Sequence, residues 1–228
     1  GADGAAVALA PGREPDVAIE ADDAGGHVRS ADGAQADLGG ADLSGLDLTD
    51  CFFVRTNLTD TKLVDTNIER ADFTEATLLR TDLSGCKLKN GFLINLRFEG
   101  VSLRGADWDK VTLYQCDFIG VDARRAKMNL VLLVDALVDK TRFDDATLVK
   151  LQAAKIDKPH RFVGCSFVGA RVHLGMFRGA EFDGCDFSHA DLETTDFSGA
   201  TVDGSTFEDA RAVGARFVGA SVRGCTFD

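Results

Sequence analysis

The stretch Ala36-Asp37-Leu38-Gly39-Gly40-Ala41-Asp42-Leu43-Ser44-Gly45 contains two copies of one five-residue pattern. A large apolar residue recurs at every fifth position from Leu38 to Leu148 and again from Phe162 to Phe227, with alanine at 123 and 212 as the exceptions. A helix repeats every 3.6 residues and a strand every 2, so neither keeps every fifth residue on one side. A solenoid does so if each pentad forms one short side of a coil. The period therefore predicts an all-β solenoid with a filled core.

Close copies of an Ala-(Asp/Asn)-Leu-x-x motif, such as Ala71-Asp72-Phe73 and Ala190-Asp191-Leu192, recur between residues 36 and 228. Over this range the chain resembles the pentapeptide-repeat family. The resemblance implies a right-handed quadrilateral parallel β-helix, with four pentads per coil, about nine coils and one interrupting loop. The fifth-position residues would then fill the core. We take the following as its markers: Leu38, Phe53, Phe73, Phe118, Phe167, Phe187 and Phe207.

The composition divides the chain into four segments. Residues 1–35 hold seven acids and two bases, and we interpret them as a flexible acidic leader or an N-terminal cap, with a short strand over 16–20. Residues 36–148 and 162–228 carry the first and second segments of the repeat. Between them the pattern breaks at 149–161, which hold four bases and one acid.

We predict that residues 149–161 form a projecting basic loop with one helical turn before Pro159. Loops on rigid scaffolds often carry function. The candidate functional residues of this loop are Lys150, Lys155, Lys158, His160 and Arg161. The alternative is an insertion that has no role.

Every fourth pentad carries apolar outward residues, which indicates a stripe along one side of the coil. The stripe consists of Phe52, Val54, Phe92, Ile94, Tyr114, Leu132 and Val134. The other three sides are mostly polar, so this row must be covered or used in binding. Three coverings remain open: the leader or the loop of the same chain, a second copy in a homodimer, or a different protein.

The sequence contains no glycine-rich phosphate loop and no nucleophile motif, and its four histidines lack metal-ligand spacing. We therefore predict no enzymatic activity, no cofactor and no metal. The six cysteines occupy the small position two before a core residue, so we expect buried, reduced thiols. A disulfide between Cys165 and Cys185 is the alternative. No run of 18 apolar residues predicts a membrane span, and reduced thiols favour the cytoplasm.

Three functions fit these observations. The first is a non-enzymatic scaffold whose apolar stripe or loop binds a protein partner. The second follows from the resemblance, because some family members mimic DNA, bind a type II topoisomerase (DNA gyrase or topoisomerase IV) and protect it against quinolones or toxins. The third is a repeat module of a larger effector or targeting protein.

Charge bears on the second function. A net charge of −12 suits DNA mimicry, although residues 1–35 supply −5 of it and residues 149–161 return +3. The same acidic balance would repel phosphate groups, so we expect no direct binding of nucleic acid.

Overall fold

The computed structural model describes residues 17–22, 25–30, 36–154 and 159–228. From residue 36 onward the chain winds into stacked coils, each paired in parallel with the next. Asp37 pairs with Asn57 and Asp42 with Lys62, so one coil takes four pentads. The N–H of Leu38 donates to the Asn57 carbonyl at 2.9 Å, and equivalent bonds recur along the stack. The predicted all-β class is confirmed as a parallel β-solenoid, with no helix in the described ranges.

Each pentad has the same anatomy, which we name by position. The inward residue fills the core, and the corner residue lies two positions before it. One flanking residue on each side of the inward residue points outward, and the turn residue lies two positions after it. Successive pentads form four faces, numbered 1 to 4 after their first inward residues, Leu38, Leu43, Leu48 and Phe53. Each face recurs once per coil.

Short strands form where pairing extends over three or more residues. Their bounds are β1 Val17–Asp22, β2 Gly25–Ser30, β3 Phe92–Ile94, β4 Arg97–Glu99, β5 Thr112–Tyr114, β6 Asp117–Ile119, β7 Leu132–Val134, β8 Leu137–Asp139, β9 Gln152–Ala154, β10 Arg161–Val163, β11 Glu181–Asp183, β12 Thr201–Asp203 and β13 Ser221–Arg223. Face 1 carries the sheet β13-β12-β11-β10-β8-β6-β4, and face 4 carries β3-β5-β7-β9. Elsewhere the coils are joined by isolated bridges.

The leader contains more strand than the sequence indicated. The strand expected over 16–20 is present as β1, and it pairs with β2 in an antiparallel hairpin that the sequence pattern did not predict. The other leader residues lie outside the described ranges, and so does the flexibility expected for them.

The core is a column of side chains stacked coil upon coil. The seven core markers are all buried, with Phe207 the most exposed at 5%. Phe53 stacks on Phe73 at 4.9 Å, and Phe167 stacks on Phe187 at 4.7 Å. These separations match the spacing of paired strands, about 4.8 Å, because inward residues of one face lie directly above one another. Each aromatic pair adds about 1 kcal/mol beyond its burial.

Corner residues are small, and many of them also donate a hydrogen bond. Thr81 Oγ1 donates to the Leu58 carbonyl at 2.8 Å, and Cys185 Sγ donates to the Phe162 carbonyl at 3.2 Å. Both bonds reach an inward residue 23 positions earlier, in the preceding coil. Threonine and cysteine therefore replace alanine at corners for their donor group as well as for their size.

The same position accounts for the state of the cysteines, all six of which are free thiols. Burial raises the pKa of the Cys51 and Cys116 thiols to about 11. The hydrogen bond between Cys165 and Cys185, together with burial, raises the pKa of Cys165. Buried thiols with raised pKa values are poor nucleophiles and poor metal ligands.

Turn residues adopt the left-handed backbone conformation that takes the chain round each corner. Their φ angles run from 48° at Lys140 to 63° at Lys110 among the non-glycine residues described. Glycine, asparagine and aspartate tolerate this region best. Within the described ranges, the apolar residues that occupy it are Leu130 and Leu174.

The interruption is shorter than predicted, and the expected loop over 149–161 needs correction at both ends. Residues 152–154 form β9 instead of a helical turn, with Ala153 inward and buried. In the other coils a residue pairs with the one 20 positions later, but Arg142 pairs with Ser166 and not with residue 162. This coil therefore contains four extra residues, which is also the length of the undescribed range 155–158. The four-pentad register resumes where Arg161 pairs with Glu181. The small inward residue Ala153 concealed the pattern in the sequence.

Candidate protein-interaction surface

Five of the seven predicted stripe residues form one continuous patch on face 4. Parallel pairing of β3, β5 and β7 aligns Ile94, Tyr114 and Val134 in one row. The other row contains Phe92 and Leu132, with Thr112 between them. No flanking residue of face 4 from 92 to 134 carries a charge. We call these five apolar residues, Phe92, Ile94, Tyr114, Leu132 and Val134, the face-4 patch.

The remaining two stripe residues lie apart from the patch. Phe52 pairs with Asp72, and this polar residue separates it from Phe92 two coils away. Val54 lies in the same early coil and is 42% exposed. A residue that the sequence pattern missed, Met176, continues the row beyond Gln152 and is 43% exposed. It was missed because the four extra residues hide its place on face 4.

Exposure falls across the face-4 patch from one side to the other. Phe92 is 59% exposed, whereas Val134 is only 5% exposed although it occupies an outward position. Ile94, Tyr114 and Leu132 lie between these limits. The patch is therefore open to solvent at Phe92 and closed at Val134. The described residues of one chain leave Phe92 uncovered, and a covering by a second copy or by another protein stays a prediction.

The structure does not bring the predicted loop residues into one site. Lys150 is an exposed turn residue of face 3, whereas Arg161 begins β10 on face 1 and pairs with Glu181 at 3.2 Å. His160 is a buried corner residue, and its Nδ1 accepts a hydrogen bond from the Ala136 N–H at 3.3 Å. Lys155 and Lys158 lie outside the described ranges. His160 is thus a packing residue, not an exposed loop residue.

Among the residues that the structure describes, one group of metal-ligand type comes together, on face 3. Ligand atoms of His173, Asp191 and Glu193 lie within 4.8 Å of one another. Arg211 approaches the same carboxylates, with Nη1 2.5 Å from Glu193 and 3.6 Å from Asp191. The guanidinium neutralises the two acids and occupies the space that a cation would need, so we interpret the cluster as an ion-pair network. No local sequence signal reveals this cluster, because His173 and Glu193 lie one full coil apart along the chain.

The interior offers no room for a substrate in the cavities that the structure describes. Two voids of about 10 Å³ lie in the core, one lined by residues that include Trp108 and the other by residues that include Met128. Each is no larger than the space of one water molecule, and the lining is apolar. Neither of these two voids can therefore hold a substrate.

Within the described ranges no helix is long and apolar enough to cross a membrane.

Comparison with proteins of known structure supports the fold. HetL of the cyanobacterium Nostoc sp. strain PCC 7120, a pentapeptide repeat protein involved in heterocyst differentiation regulation, is 16% identical and superposes with a TM-score of 0.51, covering 84% of this chain and 87% of that one. Full-length QnrB1, a plasmid-mediated fluoroquinolone resistance protein, is 16% identical with a TM-score of 0.28 and coverages of 79% and 93%. At these identities the HetL likeness establishes the fold alone, and the weaker superposition adds no argument.

No curated protein sequence matches the chain significantly. The family model for pentapeptide repeats does match, in eight copies, and it covers residues 36–74, 51–90, 93–133, 161–199 and 195–228. These ranges take in more than half of the chain and follow the coils described above. The chain belongs to the pentapeptide repeat family.

Proposed function

We propose that this protein is a non-enzymatic interaction scaffold whose β-solenoid presents the face-4 patch to a protein partner. The observation that supports the proposal most is Phe92, a large aromatic side chain 59% exposed at the edge of an uncharged apolar surface. Aromatic side chains are enriched among the residues that dominate binding energy at protein interfaces. The open side of the patch is therefore the part that a partner would cover.

The scaffold beneath the patch is suited to this role because it is already ordered. Leu93, Leu113 and Leu133, the inward residues of β3, β5 and β7, are all at most 3% exposed. Parallel hydrogen bonds fix the outward side chains above them in register. A preorganised surface loses little conformational entropy on binding.

Photo-crosslinking tests the proposal and identifies the covering group. Phe92 is replaced by p-benzoylphenylalanine, and the matched control carries the same group at Arg104, an exposed flanking position on face 2. In cells of the source organism, we expect a discrete adduct with another protein at position 92 and none at 104. The mass of the adduct separates the alternatives.

An adduct of twice the chain mass would identify a homodimer. An internal crosslink without a change in mass would show that a segment of the same chain covers the patch and would overturn the proposal. Equal labelling at positions 92 and 104 would also overturn it. A cytoplasmic location remains a prediction. Fractionating the cells before crosslinking, and detecting the chain in each fraction, tests it.

The DNA-mimic alternative finds no specific support on the described faces. Many surface carboxylates are neutralised by arginines one coil away, as in Asp50–Arg70 at 2.6 Å and Asp60–Arg80 at 2.7 Å. A mimic of duplex DNA needs unneutralised negative charge along its length. We therefore expect no inhibition of gyrase supercoiling, and no rescue from a quinolone, at micromolar protein.

A further inference from the structure

The cations that lack an ion-pair partner are concentrated on face 3. In residues 36–154 and 159–228, eight lysines and arginines have no carboxylate oxygen within 4.0 Å, and five of them lie on this face. The five are Lys87, Lys110, Lys127, Lys150 and Arg171, and all are exposed. Over the same coils face 3 holds two acids, Asp107 and Asp109. Asp107 is bound by Lys89 at 3.0 Å. Although the chain has a net charge of −12, face 3 is therefore positive between Lys87 and Leu174.

Two exposed leucines lie among these cations. Leu130 and Leu174 are 45% and 38% exposed, and both are turn residues of face 3 with φ near +58°. Leucine gains nothing from the left-handed conformation, which asparagine, aspartate or glycine adopts more easily. Packing within the chain accounts for only part of each residue, because more than a third of the surface of Leu130 and of Leu174 stays exposed. Lys150 occupies the turn position of the coil between them.

The spacing of the leucines defines what could bind across them. They lie two coils apart, or about 10 Å along the solenoid axis, because adjacent coils are about 4.8 Å apart. An α-helix lying along the axis would place residues i and i+7 about 10.5 Å apart on one side. The flanking-position cations Lys127 and Arg171 lie to one side of the leucine row, within reach of acidic residues that border the apolar seam of such a helix.

We infer that face 3, from Lys87 to Leu174, is a second docking surface, which binds an acidic amphipathic helix of a protein partner. The partner contributes aliphatic side chains to Leu130 and Leu174 and carboxylates to the free cations. Charge complementarity would steer the encounter, and the leucines would provide apolar contact. A nucleic acid would use the cations but leave both leucines without a partner. This surface is distinct from the face-4 patch, so a negative result for one surface would leave the proposal for the other unchanged.

Peptide selection tests this inference although the partner protein is unidentified. A displayed library of randomised helical peptides is selected on the purified full chain, and the affinity of the selected peptides is measured. We expect sequences rich in aspartate and glutamate with leucine or isoleucine seven positions apart. The variant Lys127→Gln/Lys150→Gln should weaken their binding at least tenfold. The control Lys140→Gln/Arg216→Gln removes two free cations from other faces and should change binding less than twofold.

The leucines permit a variant that separates binding from folding. Leu130→Asn/Leu174→Asn places a residue favoured in the left-handed region at both turns, so the Tm should stay unchanged or rise. Binding of the selected peptides should nevertheless fall at least tenfold. Selected peptides without acidic residues, or binding that ignores both the lysine and the leucine variants, would overturn the inference. Tight binding of a 16-base-pair DNA duplex that requires Lys127 and Lys150 but not the leucines would replace it with a nucleic-acid site.

Discussion

Faces 3 and 4 follow one another along every coil and enclose the same core, yet their outer surfaces are opposite in character. From residue 92 to residue 134 the flanking positions of face 4 are uncharged and mainly apolar, whereas face 3 carries free lysines around two exposed leucines. Their inward residues are equally buried, as Trp108 and Leu113 show at 1% and 0% exposure. The difference teaches that inward residues determine the coil, while flanking and turn residues can change without disturbing it.

The largest expected effect comes from breaking the shared core. Leu113 is fully buried between Leu93 and Leu133, so Leu113→Asp would place an unpaired charge in an apolar column. We expect a loss of several kcal/mol in the free energy of unfolding and loss of both surfaces. Thr112→Asp, one residue earlier and outward, should cost about 1 kcal/mol or less. Chemical denaturation measures both, and equal losses would show that the inward assignment is wrong.

A smaller effect is expected at Asp196, a flanking residue of face 4 that forms an ion pair with Arg178. Burial by itself would raise the pKa of Asp196, but hydrogen bonds from the Ser198 N–H and from Arg178 outweigh it and lower the pKa to about 2. Arg178 Nε lies 2.6 Å from the carboxylate. Because the folded-state pKa is depressed, the stabilisation is present above the unfolded value of about 3.9 and is lost as pH falls towards 2.

Replacement of this acid should therefore flatten the acid limb of the stability curve. We expect Asp196→Asn to cost about 2 kcal/mol at pH 7 and to lose much less between pH 4 and pH 2 than the parent protein does. Arg178→Gln retains the hydrogen bond from the Ser198 N–H and should give an intermediate result. Thermal unfolding across this pH range decides the point. Parallel curves for the parent and Asp196→Asn would contradict the assignment.

Two corner threonines give a paired test with opposite signs. Thr81 Oγ1 donates to the Leu58 carbonyl at 2.8 Å, whereas the buried Oγ1 of Thr56 has no hydrogen-bond partner among the described residues. Thr81→Val should destabilise the protein by about 1 kcal/mol, because it leaves a buried carbonyl with one bond fewer. Thr56→Val should be neutral or stabilising, since it removes an unsatisfied hydroxyl. If neither variant changed the free energy of unfolding in a denaturation experiment, corner size alone would matter, because valine and threonine are nearly equal in size; equal losses would contradict the difference in hydrogen bonding.

The smallest effect concerns a turn residue of face 3. Leu130→Asn should raise the free energy of unfolding by about 0.5 kcal/mol, because asparagine adopts the left-handed conformation more readily than leucine. Lys127→Asn, in an extended flanking position of the same pentad, should give no such gain. A loss of stability for Leu130→Asn would indicate that the leucine packs within the chain.

The sequence was most informative where structure is local. Fifth-position residues such as Phe53 and Phe187 could be assigned to the core because each pentad repeats the same backbone. The face-4 patch followed from taking every fourth pentad. The same sorting also brings together the lysines of face 3, but the sequence does not show which cations are free. That depends on partners in the neighbouring coil, such as Asp50 for Arg70.

Other features depended on tertiary contacts that no periodic pattern contains. The fall in exposure from Phe92 to Val134 occurs within one apolar patch, so composition could not predict it. His160 stood next to a break in the pattern and was predicted to be exposed, whereas the structure places it in a corner against Ala136. The extent of the break itself was overestimated because Ala153 is too small to be recognised as an inward residue.

The four extra residues between Ala154 and Pro159 have a consequence for how such a molecule can change. Arg161 aligns with Leu137 before the interruption and with Glu181 after it, so every later side chain keeps the face that its pentad number assigns. The number of residues inserted between Ala154 and Pro159 therefore does not determine on which face a later side chain lies. Loops of different lengths could therefore be inserted between Ala154 and Pro159 without changing the register of the coils that follow. New contacts could then be added there while the existing surface residues keep their positions.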